Sequence, residues 1–94
     1  MDCYYWFLFW VDILQFLGEF ESAIQTLLQA TEFYPEENEI EYRLAGIYFM
    51  IQDTTKAKFH LSNGLRLKFD NYILIEDLFP VVWSNKAVQN YIAK

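Results

Sequence analysis

The sequence predicts an all-α fold built from repeated helical hairpins, and three observations lead to this prediction. When the sequence is aligned with itself at the offset that matches Trp10 with Leu44, large residues pair with large ones and small residues with small ones. Apolar residues recur every three or four positions within each copy, and turn-forming residues interrupt both copies at matching places. With 54% hydrophobic and 20% aromatic residues, the chain can build a core, which excludes disorder as its main state.

This single offset relates positions along most of the chain, so we take it as the period of an internal repeat. Both large residues and small residues are matched at this offset. The matched pairs are Trp10 with Leu44, Val11 with Ala45, Leu14 with Tyr48, Glu19 with Asp53, Ala23 with Ala57, Leu27 with Leu61, Ala30 with Gly64 and Glu36 with Asp70.

Each copy is predicted to contain two amphipathic helices separated by a turn. Gly18 can adopt the left-handed conformation that ends a helix, and residues 19–22 supply the acids and hydroxyl that suit a helix start. The Asp-Thr-Thr run at 53–55 can cap the matching helix in the second copy, and Pro35 ends the first copy. The predicted helices are 4–17, 20–34, 38–51 and 54–69. The predicted inward stripes are Phe7, Trp10, Val11, Leu14 and Leu17; Ala23, Leu27, Ala30 and Phe33; Leu44, Ile47, Tyr48 and Ile51; and Ala57, Leu61, Gly64 and Leu65.

The last part of the chain is predicted to begin a third copy and then to break away from the repeat. Pro80 should end or kink a helix that begins near Tyr72, and Ser84-Asn85 is suited to cap a short final helix. We interpret this segment as the polar end that a helical repeat array needs. The predicted organisation is one domain of residues 1–94, with repeats at 4–37 and 38–71, capping helices at 72–94, and the final helix at 86–93.

Seven residues of the first copy carry a family resemblance: Leu14, Gly18, Phe20, Ala23, Leu27, Ala30 and Pro35. Their pattern resembles the tetratricopeptide repeat (TPR) signature, whose period of about 34 residues equals the offset between the two copies. The second copy departs from it, with Gln52 in place of the turn glycine and Phe69 in place of the terminal proline. The resemblance implies a right-handed superhelix of antiparallel helix pairs, a TPR-like α-solenoid. The tail is similar to the C-terminal caps of bacterial members, so the chain resembles a C-terminal fragment of such a protein.

The resemblance also implies a partner site, because first helices of TPR repeats line a concave groove in which partner peptides lie. For Phe9 and Phe16, filling of the core is an equal alternative. Arg43 either binds a partner carboxylate or pairs with Glu39 or Asp12. The implied groove residues are Tyr5, Leu8, Phe9, Asp12, Gln15 and Phe16 in the first copy and Glu39, Tyr42, Arg43, Gly46, Phe49 and Met50 in the second.

This groove is expected to bind an apolar or basic protein segment. The family's clamp for a C-terminal carboxylate uses Lys and Asn, but Leu8 and Tyr42 stand at the lysine positions and Asp12 and Gly46 at the asparagine positions. An acidic tail is therefore a poor ligand, whereas aromatic residues with acids at the margin suit apolar and basic groups.

Two further surfaces favour self-association. Large side chains surround the first helix, so either a preceding repeat or a second copy should cover it. The second surface is basic: Lys56, Lys58, His60, Arg66 and Lys68 either complement the helix dipole or contact the acid-rich first repeat of another copy. The residues assigned to self-association through the first helix are Trp6, Phe7, Phe9 and Trp10.

Charge and composition argue against several other functions. Residues 1–42 contain nine acids and no Lys or Arg, whereas residues 43–94 contain seven bases and four acids, so nucleic acid is not an expected partner. The apolar run 4–11 is followed by Asp12 and Gln15, too soon for a membrane span. One cysteine and one histidine provide neither an internal disulfide nor a metal site, so a reducing, cytoplasmic location is expected.

The sequence contains no motif that indicates catalysis or a bound cofactor. Gly-rich phosphate loops, nucleophile elbows, HExxH and paired-cysteine patterns are absent from it. His60 is expected to lie at the surface of an outer helix, and Cys3 has no base nearby in sequence. We therefore predict a protein–protein interaction scaffold that is not an enzyme. The alternative is a structural capping or self-association module of a longer repeat protein, with no ligand of its own.

Overall fold

A computed structural model describes residues 3–93 of the chain and the side chains from Tyr4 onward. These residues form helices and turns without a β-strand, which confirms the all-α prediction. Both ends of the four long helices agree with the predicted ends to within two residues. The α-helices are α1 (Cys3–Phe16), α2 (Phe20–Phe33), α3 (Asn38–Met50), α4 (Thr54–Leu67), α5 (Ile73–Leu78), α6 (Pro80–Trp83) and α7 (Lys86–Ala93), with a 3-10 helix at Phe69–Tyr72 between α4 and α5.

The turn between the long helices has the same backbone structure in both copies. Gly18 has φ of +78°, and Gln52, its counterpart, has φ of +65° although it is not glycine. A positive φ places the amides that follow a helix back toward its last free carbonyls. The sequence offset therefore corresponds to a repeated local structure. The matched bonds are Gly18 N to Gln15 O (3.0 Å) with Gln52 N to Phe49 O (3.1 Å), and Glu19 N to Leu14 O (2.8 Å) with Asp53 N to Tyr48 O (2.9 Å).

The chain divides into two compact units between Glu37 and Asn38. In the first, α2 runs back along α1, because Tyr4 packs edge-on against Tyr34 (5.2 Å between centroids) and Phe7 stacks on Phe33 (6.3 Å). The buried residues of this unit are Tyr4, Leu8, Val11, Leu14, Ala23, Ile24, Leu27 and Ala30.

The predicted stripe of α1 is partly wrong. Trp10 and Leu17 were expected to face inward but are exposed, and the buried line runs instead through Tyr4, Leu8 and Val11. Because α1 is apolar on every side, its sequence does not indicate which side faces its neighbour.

In the second unit, α4 runs back along α3, and the tail then returns to α3. Tyr48 stacks on His60 near the turn between these helices, with 5.5 Å between ring centroids. At the far end, the Tyr42 hydroxyl reaches the carbonyl of Lys68. Helices α5 and α6 both contact α3, so every α3 residue from 40 to 48 is buried.

The ends of the later helices agree with the predicted caps. Asp53 Oδ1 accepts a hydrogen bond from the Lys56 amide at the start of α4 (3.3 Å). Asn85 Oδ1 accepts one from the Ala87 amide at the start of α7 (2.9 Å). Pro80 is the first residue of α6 and follows the end of α5, so it separates two short helices as expected.

Candidate functional site

Four aromatic side chains on α1 form an exposed surface, which we call the α1 aromatic face. Tyr5, Trp6, Phe9 and Trp10 are between 50% and 67% exposed. Trp6 and Phe9 contact each other edge to face, with 6.1 Å between ring centroids. At about half exposure, four such rings present roughly 400 Å² of apolar surface, in the range of patches that mark interaction sites.

Three of the matching positions in the second copy are covered. The counterparts of Trp6 and Trp10 in the second copy are Ile40 and Leu44, and both are fully buried. The counterpart of Phe9 is Arg43, which is also buried. The aromatic face of α1 thus exposes to solvent positions that α3 keeps covered.

The other predicted residues of the first copy are divided between surface and interior. Asp12 and Phe16 are exposed and Gln15 is half-buried, but Leu8 is only 6% exposed, so its assignment to an exposed groove is wrong. Leu8 lies one helical turn from Tyr4, whose ring packs against Tyr34 at the end of α2. Phe7, assigned to self-association, is half-buried against Phe33.

In the second copy, the prediction that Tyr42 lies in an open groove is wrong. Its side chain is fully buried, and its hydroxyl donates to the Lys68 carbonyl (2.8 Å), with the Phe69 carbonyl at 3.2 Å. Burial, and secondly the charge of Asp70, raises the pKa of Tyr42 to about 12. This side chain fastens the end of α4 to α3.

Arg43 and Gly46 are also covered, contrary to the predicted groove. Arg43 is 6% exposed and pairs with Glu39, its Nη2 lying 3.3 Å from Oε2, which is one of the two ion pairs considered as an alternative. Gly46 lies directly under the ring of Phe79. The chain's own C-terminal segment therefore occupies the surface of α3 that a partner was expected to bind.

Phe49 and Met50, the remaining predicted residues of α3, line a cleft in the second unit. The cleft has a volume of about 940 Å³, large enough for several side chains of a partner. Its walls come from the end of α3, the start of α4, and helices α6 and α7. The lining residues are Phe49, Met50, Gln52, Thr54, Lys58, Val81, Val82, Asn85, Ala87, Val88, Asn90 and Tyr91.

A buried polar cluster joins α3 to α4, and it corrects the prediction that His60 is a surface residue. His60 is 9% exposed, and its Nδ1 lies 2.9 Å from Oε1 of Glu41, itself 7% exposed. Asn63 donates a second hydrogen bond to the same oxygen (3.1 Å). The histidine ring is stacked on Tyr48 with the planes 5° apart. These contacts hold two helices together and leave little space for a substrate at the ring.

Neither a membrane span nor a metal cluster is present in the described part of the chain. None of the helices within residues 3–93 has both the length and the apolarity needed to cross a bilayer. Within the same residues, no group of three or more His, Cys, Asp and Glu side chains is placed to hold a metal ion.

Comparison of the chain with protein-family models, with curated proteins and with solved structures gives no match. A function for this chain is therefore inferred from its internal repeat and from the surfaces described above. Because a fold alone does not determine a function, the exposed surfaces are stronger evidence for the function of this chain than the repeat is.

Sequence reasoning missed the cleft because its walls come from segments that lie far apart in the chain. Val81, Val88 and Tyr91 belong to a tail that has left the repeat, so no local pattern places them beside Met50. The one available signal was the predicted start of a third copy near Tyr72, and α5, which begins at Ile73, does contact α3.

Proposed function

We propose that this chain is a TPR-like protein–protein interaction module and that its α1 aromatic face binds a helical segment of another protein. The observation that carries the proposal is the exposure of Trp6 and Trp10 at positions whose counterparts, Ile40 and Leu44, are fully buried. A helix that is apolar on every side is normally covered on every side. A partner helix that packs on α1 would supply the missing cover.

The repeated turn and the matched small residues support the TPR-like part of the proposal. Ala23 and Ala57, which match each other in the two copies, are both fully buried, as small residues at close helix contacts should be. In each unit the second helix runs back along the first. A right-handed superhelix of such pairs, the α-solenoid implied by the resemblance, is the arrangement we propose.

The charge of the first unit favours a partner that is apolar and basic. Residues 1–37 contain seven acids and no Lys or Arg, so a basic segment would be attracted and an acidic one repelled. An amphipathic helix fits best, with large apolar residues against Trp6 and Trp10 and Lys or Arg along its edges. Such a helix can reach three residues of the predicted groove that lie at or near the surface of α1: Tyr5, Asp12 and Gln15. It cannot reach Tyr42 and Arg43, which are buried.

A structural capping module is the second candidate, and one observation favours it. The C-terminal segment covers α3 of its own unit, with Phe79 over Gly46, as expected where an array ends. A module of this kind would have no ligand at α1 beyond a neighbouring repeat.

The test is site-specific photo-crosslinking in the organism that makes the protein. A photoreactive phenylalanine analogue replaces Phe9 on α1 or, as the matched control, Phe59, which is 62% exposed on α4. We expect a distinct protein to be crosslinked from position 9, and Trp6→Ser combined with Trp10→Ser to abolish the product. Absence of any protein crosslink at position 9, or the same products from positions 9 and 59, would contradict the proposal.

A further inference from the structure

The cleft of the second unit combines apolar walls, formed by most of its lining residues, with the uncharged polar residues Gln52, Thr54, Asn85 and Asn90 and a single positive charge. Phe49 and Met50 at the end of α3 face Val81 and Val88 from α6 and α7. Among the residues that line this cleft, Lys58 is the charged one, and its Nζ lies 5.7 Å from the ring of Tyr91. Such a cleft suits large apolar side chains that are accompanied by a carboxylate.

The first unit exposes two large apolar side chains and a carboxylate where α1 turns into α2. We call Phe16, Leu17 and Glu19 the α1–α2 corner. Phe16 is 90% exposed and Leu17 is 65% exposed, and Glu19 beside them is exposed as well. The corner borders open space, since a Cβ added at Gly18 would have no atom within 4 Å apart from its own chain neighbours.

The second unit shows how the same position is covered when a neighbour is present. The counterpart of Phe16 is Met50, which is 39% exposed and forms part of the cleft wall beside α6 and α7. The apolar end of a first helix is thus partly shielded in one copy and almost fully exposed in the other. Exposed apolar ends of this kind favour association.

We propose that the α1–α2 corner of one copy docks into the cleft of a second copy, with Phe16 and Leu17 against its apolar walls and Glu19 beside Lys58. Charge favours this arrangement over contact between two first units. Residues 1–37 contain seven acids and no bases, whereas residues 38–94 contain six acids and seven bases, so the first unit is attracted to the second and repelled by another first unit. This surface is separate from the α1 aromatic face.

The contact joins different surfaces on the two copies, so each added copy leaves one corner and one cleft unoccupied. Association of this kind continues beyond the dimer unless the rotation closes a ring. The electrostatic part should weaken as salt rises, because exposed charges are screened over about 10 Å at 0.1 M salt.

Sedimentation velocity on the purified chain tests the proposal. We expect the average mass of the natural protein to rise beyond that of a dimer with concentration and to fall at high salt. Phe16→Ser combined with Leu17→Ser, and separately Lys58→Glu, should weaken association at least tenfold. Lys86→Glu, which makes the same charge change at an exposed residue outside the cleft lining, should behave as the natural protein does.

Mixing the variants gives the sharper result. The Lys58→Glu chain keeps its corner and the Phe16/Leu17 variant keeps its cleft, so together they should form a one-to-one complex that grows no further. Glu19→Lys added to Lys58→Glu should restore self-association. Circular dichroism confirms that each variant remains helical.

A natural protein that stays monomeric at tens of micromolar, or corner variants that associate as it does, would overturn the proposal. A mixture of the Lys58→Glu chain with the Phe16/Leu17 variant that forms no complex would also overturn the proposal. A chain that remains monomeric but crosslinks another protein at position 9 would refute this contact while leaving the function of the α1 aromatic face in place.

Discussion

The ring of Phe79 occupies the space in which a side chain at Gly46 would stand. A Cβ built at position 46 would lie 2.7 Å from Cγ of this ring and closer still to Cδ2 and Cε2. Phe79 is itself 2% exposed, so it has little room to move aside. This contact joins the tail to the middle of α3 and covers Gly46, which was predicted to lie in an exposed groove.

Gly46→Ala should therefore destabilise the protein. At an open position in a helix, alanine is more favourable than glycine by about 1 kcal/mol, but an overpacked core typically loses about 1 to 3 kcal/mol. Because Phe79 is itself buried, we expect an overpacking cost near the upper end of this range and a net decrease of about 1 to 2 kcal/mol in the free energy of unfolding, measured in urea. In a Phe79→Leu background the same substitution should cost less, and equal costs in the two backgrounds would refute the steric explanation.

The repeated turn predicts opposite effects for two reciprocal substitutions. Gln52 has φ of +65°, a conformation that costs a side-chain-bearing residue about 1 kcal/mol, whereas Gly18 adopts φ of +78° without that cost. Gln52→Gly should raise the melting temperature, and Gly18→Gln should lower it. Because a Cβ at Gly18 would have no atom within 4 Å apart from its chain neighbours, we attribute the second effect to conformational strain and not to a steric clash at Cβ. Changes of the same sign in both variants would contradict this account.

Tyr42 should make stability fall at high pH. Its pKa is about 12 in the folded protein and about 10 when unfolded, so between pH 10 and 12 the unfolded state loses the proton that the folded state keeps. The stabilisation is complete below pH 10 and disappears as pH rises through 12, a loss on the order of 2 kcal/mol.

Tyr42→Phe separates this effect from other titrations. At neutral pH the variant should be less stable by about 1 kcal/mol, because it lacks the hydrogen bond to the Lys68 carbonyl. That difference should narrow above pH 10 and then reverse, as followed by urea unfolding at each pH. Tyr5→Phe, at an exposed position, is the control; a constant difference between Tyr42→Phe and the natural protein would contradict the prediction.

Glu41 should stabilise the fold through the hydrogen bonds that its side chain accepts more than through its negative charge. Glu41→Ala leaves the buried His60 and the half-buried Asn63 without their shared acceptor, which should lower the free energy of unfolding by about 1 to 3 kcal/mol. Glu41→Gln retains an oxygen that can accept from Asn63, so its loss should be smaller. Glu76→Ala, at an exposed residue of α5, should change stability by less than about 0.5 kcal/mol in the same urea titration. Equal losses for Ala and Gln at position 41 would refute the hydrogen-bond explanation.

The helices and their caps could be predicted because the interactions that start and end a helix are local. Gly18, Asp53 and Asn85 act on amides or carbonyls within five positions of themselves, so their effects can be identified in the sequence. The predicted stripe of α3 did not distinguish a buried side, because Leu44, Ile47 and Tyr48 are buried together with every other residue from 40 to 48, whereas Ile51 is exposed.

The side of α1 that faces α2 could not be predicted in the same way. Trp6, Phe7, Leu8, Phe9 and Trp10 are all large and apolar, so the periodic contrast that identifies a buried side is missing. The prediction therefore placed Trp10 inside and Leu8 outside, the reverse of what the packing of the hairpin requires.

The sequence by itself determined that this protein is helical, that it repeats a hairpin at a constant offset, and where most helices begin and end. Only the tertiary structure decided which side chains remain exposed. Tyr42, Arg43 and Gly46 look available on an isolated α3, yet the end of α4 and the returning tail help bury them. Backbone hydrogen bonds and caps depend on residues a few positions apart, whereas burial depends on segments that meet only after the chain has folded back on itself.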